Sequence, residues 1–90
     1  MVQQLLITNH TITFDYDTLQ DMLYILFEPV TGATFYEDVP DMPGIMRRYR
    51  AEDERLIGIT AHNVKDRLPP GKSPEQAVRQ LAQSLVEQLI

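Results

Sequence analysis

The run Met22-Leu23-Tyr24-Ile25-Leu26-Phe27 is the feature that most narrows what this chain can fold into. Six consecutive apolar residues leave no polar side, so as a strand the segment needs cover on both faces of its sheet. A short buried helix would have the same composition, but the β-branched and aromatic content and the length favour a strand. The run stops at Glu28-Pro29, where proline cannot donate to a ladder. Cover is scarce in a chain of 90 residues, because a domain this small buries only somewhat over ~60% of the surface its unfolded chain exposes. There is no cysteine, which removes disulfides, thiolate zinc sites and cysteine nucleophiles and leaves stability to packing.

Further strands flank this run. Thr11 to Asp17 alternates strictly, with Ile12, Phe14 and Tyr16 on one face and Thr11, Thr13, Asp15 and Asp17 on the other, the pattern of a half-buried strand. A polar bend follows at Asp17-Thr18-Leu19-Gln20-Asp21. Thr31-Gly32 supplies a turn, Ala33 to Val39 forms a strand ending at Pro40, and Pro43-Gly44 is a second break. Ile45 to Arg50 and Leu56 to Ala61 read as a hairpin around Ala51-Glu52-Asp53-Glu54-Arg55, although no Gly or Asn fixes the turn type. Val2 to Thr8 adds a strand through a turn at Asn9-His10, or a helix, since QQLLI suits both.

The C-terminal segment is the most explicit. Leu68-Pro69-Pro70-Gly71 interrupts the strand pattern. Ser73-Pro74-Glu75-Gln76 then offers an N-cap serine, proline at the first helical position and Gln three residues after the cap. Val78, Leu81, Ala82, Leu85, Val86 and Leu89 recur at three- and four-residue spacing, one apolar stripe on a rod of roughly 25 Å. The expected fold is α+β: an antiparallel β-meander of about four or five strands with one C-terminal amphipathic helix. It forms a single domain over residues 1–90, with the sheet at about 2–64, a proline-rich hinge at 68–72 and the helix at about 74–89. That helix is expected to pack on the sheet with some role in dimerisation.

The formal charge of −5 is unevenly placed. Residues 1–46 hold seven acids and no Lys or Arg, a charge of −7, while residues 47–90 hold all eight bases and six acids, a charge of +2. One half of a small domain neutralising the other is the expected outcome. Arg47, Arg48 and Arg50 would then pair with Glu37, Asp38, Asp41 or the Glu52-Asp53-Glu54 loop across the sheet. The N-terminal MVQQLLITNH has neither a basic n-region nor an apolar run long enough for a signal peptide or a membrane span. A soluble cytoplasmic protein with no membrane partner is expected.

Few constellations could carry chemistry. Asp15-Tyr16-Asp17-Thr18 after an apolar strand is similar to the first motif of the haloacid-dehalogenase phosphotransferases. That chemistry also needs magnesium held by further acids, a lysine on the phosphate and a doubly wound sheet. With only Lys65 and Lys72 and no alternating strand and helix after the motif, the reading fails on length and order. As a calcium loop, Asp15, Asp17 and Asp21 would need Gly at Gln20 and Glu at Leu26. The plainer role of these aspartates is to accept the backbone N–H groups of a tight turn. A metal-dependent or hydrolytic enzyme centred on Asp15, Asp17 and Asp21 with a histidine, His10 or His62, is the alternative from the enzyme class. Neither histidine has a companion at ligand-like spacing. The glycines are isolated and no cofactor motif is present, so no catalytic residue, metal or cofactor is assigned. Arg47-Arg48-Tyr49-Arg50 places Arg48 and Arg50 on one strand face with Met46, a geometry that could contact phosphate and stack a base. The sequence pI near 4.8 is the reverse of the usual nucleic-acid footprint.

Tyr16-Asp17, then Asp21 with Leu23-Tyr24-Ile25, and later Leu56-Ile57-Gly58-Ile59 form a pattern of Y-D, a short bend, D-x-L-Y-I and a closing strand with glycine. On these residues the segment Phe14 to Ala61, about half the chain, resembles the small bacterial proteins grouped as domain-of-unknown-function family 2283. The resemblance implies a small antiparallel sheet domain with no established activity, of a kind often similar to partners of toxin-like proteins in two-gene modules. Met1 to Thr11 and the C-terminal helix lie outside the shared core, and the usual acidic-to-glycine turn is here Glu52-Asp53-Glu54. The expected function is therefore non-enzymatic protein interaction, as a homodimer or an antitoxin-like partner of another bacterial protein. The candidate surface is Arg47, Arg48, Tyr49 and Arg50 with Leu85 and Leu89 of the helix.

Overall fold

The structure, a computed structural model, describes residues 2–7 and 10–90. Strands β1 (Val2–Ile7), β2 (His10–Asp17), β3 (Met22–Leu26), β4 (Thr34–Asp38), β5 (Ile45–Arg50) and β6 (Leu56–His62) are followed by a 3₁₀ turn, Val64–Arg67, and helix α1 (Pro74–Leu89). The class is α+β, as the periodicities require, with six strands where four or five were expected. The N-terminal QQLLI segment resolves to a strand because Val2–Ile7 pairs along its length with Asp15–His10 of β2. The turn expected at Asn9-His10 lies outside the described residues at Asn9.

The strand order is β1-β2-β3-β6-β5-β4 with every neighbour antiparallel. Two three-stranded meanders, β1 to β3 and β4 to β6, therefore meet along a β3/β6 seam. The apolar run of β3 sits at the centre, where its ladder groups are satisfied on both sides. The Ile45-to-Ala61 hairpin forms as expected, and an acidic residue replaces the missing glycine: Glu54 adopts φ 56. Asp53 Oδ1 accepts from the Arg55 N–H at 3.2 Å, closing the turn.

Helix α1 covers one face only. Leu5, Ile12, Phe14, Leu23, Ile25, Ile45, Ile59 and Ala61 lie on that face and form one core with Val78, Ala82, Leu85, Val86 and Leu89 of the helix. The helix starts as the cap predicts, with Ser73 Oγ accepting from Gln76 N at 3.3 Å. Arg79 ties it to the sheet edge: its guanidinium lies 5.4 Å from the Phe14 ring centre and donates to the Gln4 carbonyl at 2.9 Å. No helix among the described residues is long and apolar enough to cross a membrane.

Candidate functional site

Two places carry the residues that the sequence singles out: the turn between β2 and β3, and the sheet face that α1 leaves uncovered.

At the turn, the aspartates serve the backbone. Asp17 Oδ1 accepts from Leu19 N and Gln20 N at 3.0 and 3.1 Å, an Asx turn that fixes the bend. Asp21 occupies the left-handed region at φ 55, which aspartate tolerates better than most residues. Its carboxylate accepts the Tyr16 hydroxyl at 2.6 Å and the Lys65 N–H at 3.1 and 3.3 Å, and its carbonyl accepts Val64 N at 3.3 Å. One side chain thus joins β2, the β2–β3 turn and the 3₁₀ turn after β6. Tyr16, Asp17 and Asp21, the polar half of the Y-D and D-x-L-Y-I pattern, form one structural clamp. Leu23 and Ile25 are the core positions of the same pattern, and Tyr24 between them faces the uncovered side.

The hydrogen bond to Asp21, then burial, then the charges of Asp21 and Asp17 push the Tyr16 phenol up to about 12, since each favours the neutral form. A folded-state value above the unfolded one, near 10, means a stabilising contribution present below about pH 10 and lost as pH rises toward 12. Absorbance titration should show a phenolate step near pH 12 that disappears in Tyr16→Phe. A wild-type titration complete by about pH 11 would contradict the clamp.

Among the described residues no group of three or more His, Cys, Asp or Glu side chains is placed to hold a metal ion. His62 lies on β6, and the side chain of His10 lies outside the described residues. The haloacid-dehalogenase and calcium-loop geometries have no counterpart in an all-antiparallel sheet whose Asp17 and Asp21 carboxylates bind backbone N–H groups.

The arginines divide between two surroundings. Arg50 Nε and Nη2 donate to Asp53 Oδ1 and Oδ2, both at 2.9 Å, and its Nη1 lies 3.0 Å from Glu28 Oε1. Arg55 Nε meets the other Glu28 oxygen at 2.8 Å. The Arg50 guanidinium holds the Asp53 carboxyl below the usual aspartate range, chiefly through these hydrogen bonds. The second half of the chain thus neutralises the first at Glu28. Asp53 of the Glu52-Asp53-Glu54 loop is one of the expected arginine partners, whereas Glu37, Asp38 and Asp41, the others expected, take no part in the ion pairs seen among the described residues. Arg47 is in register with Glu37, and Arg48 with Tyr36. Arg48 Nε donates to Thr34 Oγ1 at 3.1 Å, and its guanidinium lies 5.4 Å from the Tyr36 ring centre. Tyr49 stacks on Phe35 at 5.2 Å between centroids. Leu85 and Leu89, expected on an interaction surface, are instead 4% and 8% exposed in the core beneath their own sheet. The helix has a single apolar stripe, and the chain's own sheet occupies it.

The uncovered face was not foreseen. Its residues follow from the register, which places two rows across all six strands: Val2, Asp15, Tyr24, Thr60, Met46, Asp38 and, beside it, Gln4, Thr13, Leu26, Gly58, Arg48, Tyr36. Leu6 and Met22 share this side. Val2 is 63% exposed, Leu6 73% and Tyr36 44%, whereas Thr60 at the centre is 2% exposed between its neighbours. A shallow depression of ≈ 280 Å³ lies here, bordered by Val2, Thr13, Asp15, Tyr24, Leu26 and Arg48. A second cleft, of ≈ 510 Å³, opens at the C-terminal end of α1 between Ile12, Phe27, Leu56 and Val86, with the Glu28–Arg55 pair at its lip. The signal for the open face was the two-faced β3 run itself, of which α1 covers only the Leu23 and Ile25 side.

The architecture defines a class, an open-faced α+β sheet with one helix on one side. No family model, curated protein or solved structure gives a significant match to this chain.

Proposed function

We propose that this chain is a non-enzymatic protein-interaction domain that works through its uncovered sheet face, foremost as a homodimer. The observation that carries the reading is the central strand β3: Tyr24 and Leu26, with Met22 beside them, point away from the helix, on a side where a solvated antiparallel sheet ordinarily presents polar residues. Met46 lies on the same side, and Val2 and Leu6 add apolar surface at the β1 edge. Met22, Tyr24, Leu26 and Met46 are half-buried there, and Thr11, Thr13 and Asp15 of β2 separate them from the exposed Val2 and Leu6. Apolar side chains left at a sheet surface among polar ones support an interaction role. The turn aspartates support the same view, because their carboxylates are engaged in holding the fold. The resemblance to family 2283 adds the second form of this reading, an antitoxin-like role toward another bacterial protein through the same face.

Light scattering over a concentration series tests it. The apparent mass should rise toward that of two chains, and Leu26→Glu on the open face should abolish the rise while leaving the circular-dichroism melt near wild type. The control Leu19→Glu, at a turn residue 96% exposed, should behave as wild type. A mass that stays at one chain throughout contradicts the homodimer.

A further inference from the structure

The cleft at the C-terminal end of α1 has a chemistry of its own, independent of the uncovered sheet face. We propose that it binds a small organic ammonium with an apolar body, the body lodged between sheet and helix and the charge held at the mouth. The apolar stripe of the helix ends at Leu89, and beyond it the sheet leaves apolar side chains without full cover. Ile7 and Phe27 are only partly buried against the core. With Ile12, Leu56, Val86 and Ile90 they wall a volume of ≈ 510 Å³, within the ~300–1,000 Å³ usual for small-molecule sites.

The walls are fixed by contacts within the chain. The β3–β6 ladder continues one residue past β3, where the Phe27 N–H donates to the Ile57 carbonyl at 2.8 Å and so sets the aromatic wall beside Leu56. Val86 is 1% exposed and anchored in the core, and the Ile90 N–H donates to its carbonyl at 3.1 Å. At the lip, Glu28 Oε1 lies 3.0 Å from Arg50 Nη1 and Glu28 Oε2 lies 2.8 Å from Arg55 Nε. A cleft formed in advance in this way loses little affinity to the ordering of its own side chains.

The charges at the mouth select the sign of the ligand. Arg55 is the only cation among the lining residues, and Glu28 neutralises it. Arg50 is held in turn by Asp53, so the cluster of Arg50, Arg55, Glu28 and Asp53 carries no net charge. What remains is negative. Glu87, on the helix side of the mouth, accepts from the neutral Gln83 amide at 3.1 Å and joins no ion pair among the described residues. The carbonyls of residues 87–89 follow the last intrahelical acceptor, Val86, and no basic residue stands in the last turn of α1 to meet them. A helix end of this kind carries about half a negative charge and favours cations. An ammonium at the mouth can donate to Glu87 and to these carbonyls, whereas a carboxylate would meet repulsion from both.

Three probes of one shape separate the charge from the apolar body: phenylbutylammonium, phenylbutanol and phenylpentanoate, titrated into the full chain at neutral pH and low salt and followed by methyl NMR. The ammonium should shift the methyls of Ile12, Leu56, Val86 and Ile90 with a dissociation constant on the order of 10⁻³ M. The alcohol should bind about fivefold more weakly, and the carboxylate more weakly still. Butylammonium, which lacks the aryl group, should not saturate. Glu87 is exposed and bonded only to a surface amide, so Glu87→Gln and Glu87→Lys should melt near wild type. The first should remove most of the ammonium's advantage, and the second should place the carboxylate ahead of it. Equal binding of the three probes overturns the proposal, as does an order of affinities that Glu87→Lys leaves unmoved. Shifts at Val2, Leu26 and Met46 in place of the cleft, or no saturation by the ammonium up to roughly 10⁻² M, overturn it as well.

Discussion

Replacing Asp21 by alanine should lower unfolding stability by about 3 kcal/mol, because hydrogen bonds to a charged acceptor are each worth ~1.5–3 kcal/mol. The variant loses the acceptor for the Tyr16 hydroxyl and for Lys65 N together, and it places alanine at φ 55, where a Cβ without a local hydrogen bond is disfavoured. The cost concentrates at one position because three segments distant in sequence meet there. Asp21→Asn keeps the left-handed tolerance and an acceptor oxygen but gives up the charge, and should cost about 1 kcal/mol. Urea denaturation midpoints measure both, with the exposed Asp66→Ala as a control expected within about 0.5 kcal/mol of wild type. A loss under about 1 kcal/mol for Asp21→Ala would show that the clamp does not bear on stability.

Gly58→Ala should be about as damaging, for a different reason. A Cβ at Gly58 would run into the carbonyl oxygen of Ile25 on the neighbouring strand and press on Leu26 Cδ2 at 3.1 Å. The first obstacle is backbone, which a rotamer change cannot move, so β3 and β6 would have to separate at the centre of the sheet. Overpacking at such a site costs ~1–3 kcal/mol and occasionally more. Gly32→Ala is a useful contrast, since a Cβ there meets nothing within 4 Å and only its φ of 78 opposes the change. If Gly58→Ala melts like wild type, the close approach of β3 to β6 is wrong.

How far the sequence reaches depends on whether a feature is decided locally. The helix could be read to its first and last residues because Ser73, Pro74 and the three- and four-residue spacing act within a single segment. The alternation at Ile12, Phe14 and Tyr16 located β2 for the same reason. The N-terminal QQLLI was undecidable alone and became a strand only through its register with β2. The position of β3 beside β6 is a non-local result, and two misplaced expectations follow from it. Arg50 pairs with Asp53 of the loop, as one of the expectations had it, but in place of Glu37, Asp38 or Asp41 it is Glu28, just past β3, that takes Arg50 and Arg55. Leu85 and Leu89 were assigned to a partner surface, whereas the sheet that β3 centres needs the whole helix stripe. Asp17 and Asp21 were legible as turn residues, whereas Asp15, expected beside them, lies within β2, and the reach of Asp21 to Lys65, 44 residues away, was not legible. What remained over, Tyr24 and Leu26 on the far side of the same strand, became the candidate site.

The most direct test of the central claim, that the uncovered face is the working surface, is a residue-resolved dilution series following methyl resonances by NMR. The methyls of Val2, Met22, Leu26 and Met46 should shift with concentration along one binding curve, while those of Leu23, Ile25, Leu85 and Val86 beneath the helix stay fixed. Shifts confined to the helix end or to the β4 edge, or no shift anywhere up to millimolar protein, would contradict it.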